Sequence, residues 1–138
     1  MDDAVIIMRE AYERGASHLD LVRAATAAVR ALAFPETSEV MLAITAVERW
    51  FADPSRDNLA EIHKAHLVVI VMVVSDFQVN SRALSPNGWA LFAAAMVCSA
   101  YCYKGADDHP AVYAVEYACK AAHAGNVDIA VAVTAALL

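Results

Sequence analysis

Residues 67–74 read Leu-Val-Val-Ile-Val-Met-Val-Val, and the way this run folds decides the architecture. Six of the eight are β-branched, which on propensity alone is a strand. Two observations favour a helix. The segment just before it, Ala60-Glu61-Ile62-His63-Lys64-Ala65-His66, already has a helical pattern. An isolated strand would also have no partner elsewhere in the chain. A bilayer-spanning reading needs about 20 consecutive apolar residues, and this run is bounded by Lys64 and His66 on one side and Asp76 on the other. The second apolar stretch, Trp89 to Tyr103, is followed by Lys104, Asp107 and Asp108. The expectation is that both lie in helices buried on nearly all sides.

Outward from this run the chain is punctuated by helix caps. Asp2 or Asp3 suits the start of a first helix to about Arg14, with Gly15 just past its end. Ser17 with Asp20 resembles a capping box for a second helix, from His18 to about Ala33. Pro35 ends that one, Thr37 or Ser38 opens a third, and Pro54 closes it. Ser55 or Asp57 opens a fourth, which runs through Leu67–Val74. Residues 75–87 are expected to be irregular, ending in Ser85 as a cap and Pro86 at the first helical position. A fifth helix then reaches about Tyr103. Asp107 or Asp108 caps a sixth with Pro110 in its first turn, Gly125 ends it, and Asn126 caps a seventh. The fold class is therefore all-α: one domain over residues 1–138, a compact Ala-rich bundle of about six to seven short antiparallel helices. Ala-Val-Glu followed by an aromatic occurs near both Trp50 and Tyr117. Any Ala-rich helical chain aligns with itself in this way, so no repeat is assigned.

The composition fits this architecture. Of 138 residues, 60% are apolar and only 19% charged, against about 25% charged in a typical soluble domain. Ala contributes 31 and Val 17. The chain is too apolar for disorder. A net charge of -6 argues against nucleic-acid binding through a general basic surface. Cys98, Cys102 and Cys119 are an odd number without framework spacing, and they read as reduced thiols of a cytoplasmic protein. The acidic start, Met1-Asp2-Asp3-Ala4, lacks the basic and apolar regions of a signal peptide.

No catalytic set is expected. The chain contains no nucleophile-elbow, zincin, P-loop or dinucleotide fingerprint. His63 and His66 share a helix face, but the Glu-x-x-His pairing of helical di-metal sites is missing. Cys98, Cys102, Cys119 and His123 resemble a zinc set in composition. In a hairpin, however, His123 would lie about 16 Å beyond the level of Cys102, too far for one ion. Neither a metal nor a cofactor is expected.

Binding residues gather on loops. The candidates for a partner-binding site are Asp107, Asp108 and His109 in one loop, and Asp76 and Arg82 in the other. The function expected is a non-catalytic protein-interaction module. Its size, acidity and helical content are common among immunity or inhibitor proteins that neutralise a basic partner. The excess of apolar residues predicts a homodimer, or a larger homo-oligomer, through an apolar helix face such as part of Leu67–Val74. Neither nucleic acid nor membrane is expected as a partner. The alternative is a small helical enzyme or ligand-binding protein with an apolar pocket between helices four to six. Met72, Phe77, Trp89, Phe92, Met96 and Tyr101 would line that pocket, with His66, Asp76 and Asp108 as its polar groups.

Overall fold

The computed structural model describes residues 3–100, 109–122 and 127–138. Seven α-helices and no strand occur among the described residues: α1 Asp3–Glu13, α2 His18–Arg30, α3 Glu39–Ala52, α4 Arg56–Val79, α5 Pro86–Ala100, α6 Pro110–Ala122 and α7 Val127–Leu137. The all-α bundle is thus the observed architecture.

The helix starts follow the caps in the sequence. Ser17, Ser38 and Ser55 are N-caps, each hydroxyl accepting from the backbone N–H three residues on. This satisfies one of the amides that the first turn leaves unpaired. Ser85 does the same for Gly88 N–H at 3.1 Å, with Pro86 opening α5. Gly15 takes φ +85° at the end of α1, and Ala16 N–H reaches back to the Ala11 carbonyl. That is the glycine-dependent helix ending.

Three boundaries differ from expectation. The second helix stops at Arg30, because Ala33 turns left-handed at φ +57° two residues before Pro35. The fourth helix runs past Val74 to Val79, since Asp76, Phe77 and Gln78 carry no breaker and continue its hydrogen bonding. The irregular segment is correspondingly shorter. At α6, His109 stands before Pro110. Its ring Nδ1 accepts from Ala111 N–H at 3.1 Å, and its carbonyl accepts from Val112 N–H at 3.0 Å. The expected caps Asp107, Asp108 and Asn126, the helix ends at Tyr103 and Gly125, and Cys102, Tyr101 and His123 lie outside the described residues.

The bundle is organised around α5, which packs on α6, α4, α3 and α2. Its buried positions are almost all small: Gly88, Ala90, Ala93, Ala94, Ala95 and Ala100, with Leu91, Val97 and Cys98 between them. Small side chains let four neighbours approach one axis. The α2 helix lies against α7, α6, α5 and α3, and α1 covers α7 and α6. The core is built from Met8, Leu21, Met41, Ile44, Ile62 and Ile129 among many Ala and Val side chains.

The expectation for Leu67–Val74 needs correcting. Among the described residues the α4 helix packs chiefly on α5 and α3, and Ile62 and Val69 are its only buried residues. The outward face is apolar and open: Leu67 is 69% exposed, Val71 68%, Val74 51% and Val79 79%. Burial on all sides belongs to α5, not to α4.

Candidate functional site

The surface of α4 is the feature that a folded monomer does not account for. The N-terminal two turns carry Arg56, Asp57, Glu61, His63 and Lys64. From Leu67 the outward positions become aliphatic, at the 4 and 3 spacing of Leu67, Val71 and Val74 that forms one stripe along a helix. Val68 and Leu42 of α3 extend the patch to one side, and Phe77 extends it to the other. Contiguous apolar surface of this kind marks interaction sites in soluble proteins. Spread over 24 residues, α4 is the one helix among those described that is long and apolar enough to cross a membrane, by length and composition alone.

Two clefts flank the stripe. The groove between α3 and α4 is mixed in character, lined by Leu42, Ala46, Ala65 and Val68 with Glu39, Arg49, Glu61 and Lys64. The groove between the end of α4 and the start of α5 is apolar, with a volume of about 600 Å³. Phe77, Trp89 and Phe92 line it, three of the six apolar residues expected in a pocket between helices four to six, but no residue of α6 does. Met72 and Asp76 instead face a separate shallow cleft with Asn80 and Asn87. The aromatic wall is fixed from behind: Phe92 stacks on Tyr117 at 4.5 Å between centroids, and Trp89 lies 5.3 Å from the same ring.

The loop candidates separate into distinct roles. Asp76 is a joint between helices: Oδ1 accepts from Ser85 N–H at 2.9 Å and Oδ2 from the Ser85 hydroxyl at 2.6 Å. Arg82 is exposed, on left-handed backbone at φ +66°, and borders the apolar groove. His109 is 6% exposed, packed against His18 and Tyr12. Asp107 and Asp108 lie outside the described residues, and Asp76 and Arg82 line different clefts.

His109 forms a pair that the sequence did not reveal. Its Nε2 lies 2.8 Å from His18 Nδ1. Because Nδ1 of His109 accepts from a backbone amide, the neutral ring carries its proton on Nε2 and donates it to His18. His18 then keeps its own proton on Nε2, which is buried without a partner among the described residues. Burial and the neighbouring His18 push the His109 pKa down to about 4. Only the fold brings residues 18 and 109 together, and spacing along the chain carries no signal of it.

Cys98 and Cys119 are buried, and burial raises the Cys98 thiol to about 12, so it carries no thiolate near neutral pH. His66 is half-buried, and its pKa is lowered by burial and then by His63. Among the described residues no group of three or more His, Cys, Asp or Glu converges as a metal site would require. The chain matches no known family, no curated protein and no solved structure.

Proposed function

We propose that this protein is a non-catalytic protein-interaction module that docks a partner on the outward face of α4. One observation carries the reading. Six large apolar side chains on that helix, from Leu67 to Val79, are between 43% and 79% exposed, whereas the other exposed large apolar residues among those described, Ile6, Leu19, Leu42, Val131 and Leu138, are scattered over four other helices and the chain end. Such a face accepts an apolar helix laid along it.

A second copy of the chain is the partner that the stripe itself favours. Two antiparallel α4 helices related by a two-fold axis at Val71 set Leu67 of each against Val74 of the other. This is a self-complementary contact. The net charge of -6 favours instead a basic partner, and it is what supports the second reading, an immunity or inhibitor protein that meets a different protein on this face. The buried thiols fit a reducing cytoplasmic setting. A membrane role is less well supported. The α4 helix carries Glu61, Lys64 and Asp76 within its length, and the acidic chain gains nothing from anionic lipid.

Light scattering and sedimentation at micromolar concentration test the proposal against a Val71→Glu variant. The wild-type chain is expected to be dimeric and the variant monomeric with unchanged helicity. A wild-type monomer that floats with phospholipid vesicles would overturn the reading in favour of a membrane. Equal association by both proteins would place the interface elsewhere.

A further inference from the structure

The groove between α4 and α5 is chemically unlike the α4 stripe. Its walls are Val73, Val74 and Phe77 from α4, Ala83 and Leu84 from the connection, and Trp89 and Phe92 from α5, with Arg82 as the one charged side chain among them. Its volume of about 600 Å³ lies within the range of small-molecule sites, roughly 300–1,000 Å³. The Arg82 backbone is held by a hydrogen bond from its N–H to the Phe77 carbonyl at 2.9 Å, and its guanidinium forms no ion pair among the described residues. Lys120 Nζ, 4.4 Å from the centre of the Trp89 ring and 5.9 Å from that of Tyr117, braces the wall without lining the groove. In a chain with ten basic residues and a net charge of -6, the Arg82 guanidinium at the rim of an apolar groove gives local complementarity to an anion. The walls otherwise offer hydrocarbon and ring faces, so a fitting ligand has one anionic group and a body without further polar atoms.

We propose that this groove is a binding site for a free medium-chain fatty carboxylate, its alkyl chain against Phe77, Trp89 and Phe92 and its carboxylate facing Arg82. The site adjoins the α4 interface and shares Val74 and Phe77 with it, but Leu67 and Val71, at the centre of the stripe, do not line it. Helix geometry also supports the assignment. The aromatic wall is already ordered by stacking on Tyr117, so binding orders little beyond the ligand itself.

Calorimetric titration of the full chain with octanoate, nonanoate and decanoate tests the proposal. The expected result is saturable one-to-one binding below the micellar concentration, tightening about fourfold with each added methylene. Decanol should bind about threefold to fivefold more weakly than decanoate, the effect of one exposed charge pair. Arg82→Gln should erase that difference while leaving decanol affinity unchanged. Val71→Glu should bind decanoate as the wild type does, so loss of the dimer and loss of the ligand site are separable. Equal affinity for decanoate, decanol and decyltrimethylammonium would overturn the proposal. So would binding to phosphatidylcholine vesicles without binding to free decanoate, or the loss of binding in Val71→Glu, which would make the groove part of an interface between copies.

Discussion

His109 shows how one side chain acquires a chemistry that its position in the sequence does not announce. It stands in a polar loop sequence, yet it is buried beneath His18 and Tyr12 and serves as an acceptor for the first amides of α6. The unfolded imidazole takes up a proton near pH 6.5, whereas the folded one does so only at about pH 4. Between these values the unfolded chain binds more protons, so stability falls as the pH drops through that window. Above pH 6.5 the ring is neutral in both states and contributes no slope. The full effect is on the order of 3 kcal/mol. Denaturant midpoints measured from pH 7.5 to 4 should show this loss, and His109→Asn, which keeps a capping acceptor, should flatten it. An unchanged slope in the variant would mean that other groups carry the pH dependence.

At the scale of elements, the joint between α4 and α5 depends on a close approach. Gly88 is buried in the first turn of α5, and a Cβ there would lie 2.7 Å from Asp76 Cγ and 3.1 Å from Leu84 Cδ2. Asp76 cannot move aside without giving up both of its bonds to Ser85. Gly88→Ala is therefore expected to destabilise by about 1–3 kcal/mol, although Ala is the better helix former. Thermal melts would check the direction, and a rise in stability would show that Asp76 is not held as described. The same joint explains why the sequence predicts a shorter α4 than the structure has. Asp76 and Asn80 look like loop residues, but Asp76 sits within the helix and bonds outward to the next cap. Propensity alone does not distinguish a polar residue that ends a helix from one that ties it to a neighbour.

The whole molecule raises the question of why α4 lies at the edge. The helix rich in Ala, α5, is surrounded because its small side chains admit close neighbours, and the bulkier Val-rich helix is left with two chief packing partners. The exposed face then makes stability depend on association. If a dimer forms through it, the melting temperature of the wild type should rise with protein concentration, and that of Val71→Glu should not. A concentration-independent midpoint for both proteins would remove the dimer. What the sequence by itself determined was local: helix identity, the Ser17, Ser38, Ser55 and Ser85 caps, and the turn at Gly15. Each of these is an interaction between residues a few positions apart. Only the tertiary structure decided that Leu67–Val74 faces outward, that His18 meets His109, and that Arg82 borders an aromatic groove. An apolar run has the same composition whether it is covered by its own chain or by another, and which of these holds depends on how the remaining helices fill the space around α5.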